Sequence, residues 1–155
     1  MQSRPFPSSS QAEVVTGDRG ARTTPERLAV VLRRYREAMH QALEAQDYRP
    51  VPPTALWFVI ELARQEGTVG DLARRLEITK QAASRLADQL VALGYCDRER
   101  SETNRRQVLL RSTAEGQSAA MVLLAAIQKV DAGMLASLDA GEREVFQRAL
   151  AHMLG

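Results

Sequence analysis

The sequence predicts a mainly α-helical protein in which a helix-turn-helix is followed directly by a β-hairpin. Apolar residues recur at three- and four-residue spacing in six segments, as on the buried face of amphipathic helices. Residues that commonly cap helices precede most of these segments. Between the fourth and fifth segments, from Tyr95 to Ser112, the pattern changes to the alternation typical of short strands.

Length and composition favour one compact domain. The chain has 155 residues, 45% hydrophobic and 26% charged, which is close to the globular average. No apolar run is long enough to cross a bilayer and the N-terminus lacks the apolar core of a signal peptide, so we expect a cytoplasmic protein. Cys96 is the single cysteine, which excludes an intramolecular disulfide and multi-cysteine metal sites.

The N-terminal part is expected to contain a tail and two helices. Residues 1–23 hold two prolines, three consecutive serines and few large apolar residues, which predicts a flexible tail. The first helix is predicted to have Thr24 as its cap and to end near Asp47. A second helix, capped by Thr54, is apolar on nearly every side and is therefore expected at the centre of the core.

Two short helices with a tight turn form the predicted helix-turn-helix. Thr68 and Asp71 resemble a capping box for the third helix. Thr79 is predicted to cap the fourth helix, and Gly94 to end it in a left-handed conformation. The side chains expected to be buried on the fourth helix are Ala82, Leu86, Leu90 and Leu93.

The C-terminal part is predicted to hold the hairpin and two more helices. The strands are expected at 95–100 and 107–112, joined by a polar turn. Ser112 with Glu115 predicts a capping box for a long fifth helix, and Asp139 with Glu142 predicts another for the sixth. The side chains expected to be buried on the sixth helix are Val145, Phe146, Ala149, Leu150 and Met153.

The side of the fourth helix opposite its apolar stripe carries residues that read DNA bases. Arg85 has the donors to bind guanine, Gln81 pairs well with adenine, and Ser84 donates or accepts a hydrogen bond. Thr79, Lys80 and the free amides of the helix start suit a phosphate. The alternative interpretation is an ordinary solvated helix face.

Arginines around this helix extend the candidate surface. Asp88 lies one turn after Arg85 and is placed to orient its guanidinium. On the third helix, Arg74 and Arg75 are expected to point outward, where each would either contact the DNA backbone or remain solvated. A hairpin beside a recognition helix reaches the adjacent minor groove, where arginine is favoured; the hairpin arginines concerned are Arg98, Arg100, Arg105 and Arg106.

The segment from Thr68 to Gly116 resembles the winged helix-turn-helix of the MarR family of bacterial transcription regulators. The order of helices over residues 24–155 is also similar, since in that family one helix precedes the winged domain and two follow it. The resemblance implies a winged helix-turn-helix at 54–112, with a three-helix core, a recognition helix at 79–93 and a β-hairpin wing at 95–112. It also implies dimerisation helices at 24–50 and 113–155.

One position departs from the family pattern. The wing of the family usually carries Asp-x-Arg, whereas this chain has Asn104, Arg105 and Arg106. The resemblance therefore assigns the DNA-contacting wing arginine to Arg106, with an amide in place of its usual acidic support.

The remaining candidate residues favour structural roles. Cys96 is expected to be a small buried hydrophobe, and His40 and His152 stand alone, so no metal site or cofactor is predicted. Tyr35, Met39 and Trp57 are expected in the core; the alternative is a cavity for a small aromatic or amphipathic effector, as family members often have.

The prediction is a homodimeric regulator of transcription, a ligand-responsive repressor that binds a pseudo-palindromic operator in double-stranded DNA. The alternative is a winged-helix module that binds another protein and not DNA. An enzyme is not expected, because the sequence shows no clustered nucleophile, base or metal ligands.

Overall fold

The structure, a computed structural model, describes residues 23–101, 104 and 107–154, without the side chains of 153 and 154. Its elements follow the predicted order: α1 (Thr24–Glu44), α2 (Leu56–Arg64), α3 (Val69–Arg75), α4 (Lys80–Ala92), β1 (Cys96–Arg100), β2 (Val108–Ser112), α5 (Ala114–Met134) and α6 (Ala140–Leu154). The expected tail, Arg105, Arg106 and the Met153 side chain lie outside the described residues. Among the described helices, none is long and apolar enough to cross a membrane.

The helix caps confirm some predictions and shift others by one residue. Thr68 with Asp71 and Asp139 with Glu142 cap α3 and α6 as expected. The prediction that Thr24 caps α1 is wrong, because Thr23 forms the capping box with Glu26 and Thr24 is already helical. The prediction that Thr54 caps α2 is also wrong, because α2 starts after Ala55 and has no side-chain cap. The predicted cap of α5, Ser112, is wrong as well, because Ser112 lies in β2 and Thr113 caps the helix.

The core forms around α2, as its apolar sequence predicts. Phe58, Val59 and Ile60 are almost completely buried there, and α2 packs against α3, α5 and β2. The neighbouring helix α5 contributes Leu123 and small residues, which allow the helices to approach closely. The predicted buried face of α4 is only partly right: Leu90 is buried as expected, but Ala83 and Ala87 are buried in place of Ala82 and Leu86, which lie with Leu93 at the edge of the face.

The hairpin is short and well anchored at its base. Its strands are antiparallel and pair Cys96 with Ser112 at one end and Arg100 with Val108 at the other. Gly94, with φ of 81°, provides the left-handed turn between α4 and β1 that the sequence predicts. A bridge between Gly67 and Leu110 also joins β2 to the segment before α3. The wing is thus fixed to the helix-turn-helix on two sides.

An apolar surface remains uncovered in the single chain, on the first half of α1 and on α6. Its residues are 37–56% exposed: Leu28, Leu32, Val145, Phe146 and Leu150. The expectation that α6 buries these side chains is therefore not met within one chain. We refer to this set as the outer apolar surface.

The start of α5 approaches Tyr95, between α4 and β1, so closely that only glycine fits at position 116. A Cβ atom built on Gly116 would lie 2.0 Å from the carbonyl oxygen of Tyr95 and 2.6 Å from Oγ of Ser112. Two hydrogen bonds fix this approach, from Thr113 Oγ1 to the Gly94 carbonyl (2.7 Å) and from the Thr113 amide to the Tyr95 carbonyl (3.2 Å).

We expect Gly116→Ala to lower the free energy of unfolding by about 1–3 kcal/mol, because backbone must move to admit the methyl group. Gly133→Ala is the matched control in the same helix, since nothing lies within 4 Å of its Cβ position. That change should raise stability by up to about 1 kcal/mol through helix propensity. Urea unfolding followed by circular dichroism measures both variants; equal stabilities would contradict the close approach.

Candidate nucleic-acid interface

Helix α4 is held so that its polar face is exposed. Its N-cap, Thr79, accepts a hydrogen bond through Oγ1 from the Ala82 amide at 3.1 Å. Burial of Ala83, Ala87 and Leu90 turns the opposite side outward. On that side Lys80, Gln81, Arg85 and Asp88 are exposed, while Ser84 is partly buried. The structure thus brings the predicted base-reading residues together, and we call Gln81, Ser84 and Arg85 the reading face.

The reading face keeps its arginine free of ion pairs. Among the described residues, no ion pair or side-chain hydrogen bond involves Arg85. The predicted support from Asp88 is wrong, because the Asp88 carboxylate instead binds Arg98 of β1, with Nη2 2.5 Å from Oδ1. Sequence spacing indicates only neighbours on the same helix, whereas this partner comes from the wing. The donors of Arg85 are therefore available to a ligand.

The two arginines of α3 differ in orientation. Arg74 points outward and has 80% of its side chain exposed, although its guanidinium pairs with Asp71. The prediction that Arg75 also points outward is wrong. Its guanidinium turns back to donate to the side chain of Gln65 at 2.9 Å and to its carbonyl at 3.0 Å, and it lies 3.5 Å from Glu61. Arg75 therefore secures the end of α2.

The wing carries both paired and unpaired charge. Arg98 and Arg100 lie on the same face of β1, and Arg98 is the one bound to Asp88. Arg111 on β2 pairs with Glu66 at 2.6 Å and with Glu99 at 3.0 Å, so much of the predicted basic charge is already balanced. The predicted contacts by Arg105 and Arg106 fall outside the described residues.

The base of the wing tip is ordered by a serine that the sequence analysis did not single out. Ser101 is 94% buried, since only 6% of it is exposed, and its Oγ accepts a hydrogen bond from the Asn104 amide at 3.2 Å. The Ser101 amide donates to the Gln107 carbonyl at 3.0 Å, and the Gln107 amide to the Asn104 carbonyl at 2.8 Å. A serine at the first position of a turn is the sequence signal for such a structure.

Cys96 is a core residue, as predicted. Its side chain is fully buried, with Sγ 3.9 Å from the Ala87 carbonyl. Burial, reinforced by nearby Asp97, raises the pKa of the thiol to about 11. Within the described part of the chain, no group of three or more His, Cys, Asp or Glu residues is arranged to hold a metal ion.

The three candidate effector residues do not line one cavity. Met39 is fully buried in the core, as expected, whereas Trp57 is 38% exposed. Tyr35 lines a cavity of about 550 Å³ between α1, α5 and α6 that includes neither of them. Its hydroxyl donates to the carboxylate of Asp131, and burial together with this hydrogen bond raises the pKa of Tyr35 to about 12.

Comparison with known proteins agrees with this geometry. Residues 50–107 match the family model described as MarR family. A MarR transcriptional regulator from Methanosarcina mazei Go1 is similar in structure, with a TM-score of 0.70, 21% identity, and coverage of 84% of this chain and 92% of that one. A comparison with curated proteins gives no match.

Two further solved structures share the fold. The transcriptional regulator SlyA has a TM-score of 0.72 at 14% identity, over 84% of this chain and 92% of that one. A putative MarR family transcriptional regulator from Listeria monocytogenes, complexed with a 26mer DNA, has a TM-score of 0.71 at 16% identity, over 86% and 87%. At these identities the likeness establishes the winged-helix fold with its flanking helices.

We expect the Cys96 thiol to be unreactive in the folded protein. Its raised pKa leaves the thiol protonated at pH 8, and burial blocks access. Ellman's reagent at pH 8 should therefore label native protein slowly and protein in 6 M guanidinium at once, where the pKa returns to about 8.5. Rapid labelling of the native state would show that Cys96 is accessible and reactive.

Proposed function

We propose that the chain is a member of the MarR family, whose model its residues 50–107 match, and that it is a DNA-binding regulator of transcription. The observation that carries this proposal is the exposed reading face on α4, where Arg85 has no ion-pair partner among the described residues. The neighbour from Listeria monocytogenes was solved with a 26mer DNA, which supports the same ligand class for this fold.

The reading face suggests how the major groove is recognised. Arg85 would bind O6 and N7 of a guanine, and Gln81 would bind N6 and N7 of an adenine. Ser84 is partly buried and its side chain is short, so its hydroxyl would bond only to a base or phosphate that comes close to the helix. Lys80, Thr79 and the amides at the start of α4 would fix the register through the phosphates.

The wing supplies the second DNA contact in this proposal. Arg106, and Arg105 beside it, would enter the adjacent minor groove, where the negative potential favours arginine. The exposed Arg74 of α3 is placed to meet the backbone, whereas Arg75 would first have to leave Gln65 and Glu61.

We also propose that the protein acts as a homodimer. The outer apolar surface exposes large side chains of α1 and α6, and contiguous apolar surface of this kind favours association. A two-fold dimer presents two recognition helices and therefore binds a pseudo-palindrome with half-sites about 34 Å apart. Such a protein has no need of a catalytic centre and would work in the cytoplasm, where the DNA is.

The regulatory part of the proposal is a repressor that releases DNA when an effector binds. The cavity of about 550 Å³ beside Tyr35 is mostly apolar and would take a small aromatic or amphipathic molecule. Leu28, Leu32 and Phe146 belong both to this cavity and to the outer apolar surface. An effector there would therefore change the packing of the two chains and the spacing of their recognition helices.

The dimer is tested by Leu32→Glu, which places a charge in the outer apolar surface and should convert dimers to monomers at micromolar concentration. Val108→Glu is the control, because both side chains are 46% exposed but Val108 lies on the wing. Sedimentation equilibrium should show dimers for the wild type and Val108→Glu. A well-folded wild-type monomer at this concentration would contradict the proposal.

DNA recognition is tested on fragments that the purified protein selects from genomic DNA. Arg85→Ala should cost about 1–3 kcal/mol on the best fragment and relax the preference at one base pair per half-site. Lys80→Ala should lower the affinity for all DNA sequences by a similar factor, since phosphates carry no sequence information. Fluorescence anisotropy measures both; unchanged specificity in Arg85→Ala would move the reading role to other residues, and failure to select any DNA would favour a protein partner.

A further inference from the structure

One face of β1 lies directly over α4. Side chains alternate along a strand, so Cys96 and Arg98 point the same way. The Cys96 sulfur lies 3.9 Å from the carbonyl of Ala87, and Arg98 Nη2 lies 2.5 Å from the carboxylate of Asp88. Two successive residues of the helix thus meet two successive residues on this face of the strand. The first contact is buried and the second is exposed.

We propose that Arg98 is a positioning residue, which joins the wing to the recognition helix through Asp88 and does not bind a phosphate. This inference rests on the proposed DNA-binding function. It reassigns Arg98, which the sequence placed among the DNA contacts, and it gives a role to an acidic residue on the DNA-facing side of α4.

The charges around β1 leave Arg98 with Asp88 as its partner. The two acidic residues of the strand, Asp97 and Glu99, lie on its other face, where both are opposite or diagonal to Arg111 and Glu99 binds it at 3.0 Å. Across the hairpin, Arg98 faces Leu110, which has no charge to offer. The pairing with Asp88 is therefore specific to the way in which the wing sits on α4.

The pair also neutralises an acidic side chain that lies beside the reading face of α4. Asp88 has 66% of its side chain exposed and lies one turn from Arg85, so its negative charge alone would repel DNA phosphates. The Arg98 guanidinium offsets that charge and leaves Arg85 without a competing acid. Arg98 can serve in this way only while it stays bound to Asp88.

The position of the pair makes it effective as a link. The segment from Leu93 to Tyr95 joins α4 to β1, and Cys96 anchors the base of the wing. The Asp88–Arg98 pair lies nearer the wing tip than the contact of Cys96 with Ala87, so it is the outer of these two contacts between β1 and α4. Loss of the pair should therefore loosen the wing relative to the reading face while its base remains in place.

The link is tested first without DNA, with Asp88→Asn, Arg98→Gln and the double variant. Arg100→Gln is the matched control, since Arg100 is on the same face of the same strand and makes no described ion pair. Amide hydrogen exchange in β1 and β2 should become about two- to fivefold faster in the first three variants, as expected for an exposed ion pair. If these three variants exchange at the same rate as the wild type and Arg100→Gln, the proposed link between the wing and α4 is wrong.

The second arm measures DNA affinity across a salt series on the selected fragment. Asp88→Asn and Arg98→Gln should each weaken binding by up to about fivefold, and the double variant should be no weaker than Arg98→Gln, because both changes break one interaction. The slope of log affinity against log salt should stay unchanged. Tighter binding by Asp88→Asn, or a slope for Arg98→Gln that is lower by about 0.9 per chain, would overturn the proposal.

The two arms also separate the inference from the function on which it rests. If the wild type binds no DNA, the proposed function fails, while the exchange experiment still decides whether Asp88 and Arg98 hold the wing. If the wild type binds DNA and the salt slope falls in Arg98→Gln, the function stands and Arg98 is a phosphate contact.

Discussion

The packing of Tyr95 is the constraint on which the arrangement of α4, the wing and α5 depends. Its side chain is 99% buried, with only 1% exposed, and its hydroxyl donates to the Arg49 carbonyl at 2.7 Å. Its amide donates to the carbonyl of Leu90 in α4, and its carbonyl accepts from the amide of Thr113 before α5. One residue therefore fixes the α1–α2 loop, the end of α4, the root of the wing and the start of α5. Gly116 follows from this, because Tyr95 leaves no space for a side chain there.

The arginines of this surface differ in whether an ion pair holds them, and this difference decides which of them can bind a ligand. Arg75, Arg98 and Arg111 each have acidic partners that hold neighbouring elements together. Arg85 has none among the described residues, and it is exposed. Solvated ion pairs contribute little to the free energy of unfolding. The main effect of the paired arginines is therefore to fix the orientation of neighbouring elements. They align α2, α3, α4 and the hairpin next to Arg85.

Local sequence signals are sufficient for the element order and for the exposure of Gln81 and Arg85 on α4, and the errors have physical causes. Gln81 and Arg85 were found because helix periodicity separates them from the apolar side. On α4 the prediction is right for Leu90 but one residue early at 82 and 86, because alanines at 82, 83 and 87 make the apolar stripe nearly featureless. The partners of Arg75 and Asp88 could not be predicted, since Gln65, Glu61 and Arg98 meet them only in the folded chain. The exposure of α6 was also missed, because periodicity indicates an apolar face but not whether the same chain covers it.

Helix α5 connects the two surfaces that the proposed regulation requires. Its first turn lies against Tyr95 at the root of the wing, and its last turns carry Asp131 and Met134 beside the cavity of Tyr35. At about 1.5 Å per residue, its 21 residues span about 30 Å. The close approach of Gly116 to Tyr95 prevents the first turn from sliding independently of the end of α4. In the proposed dimer, a change in how α1 and α6 pack at the far end of α5 would therefore rotate each winged domain as a rigid body, which would alter the distance between the two reading faces and leave each face intact.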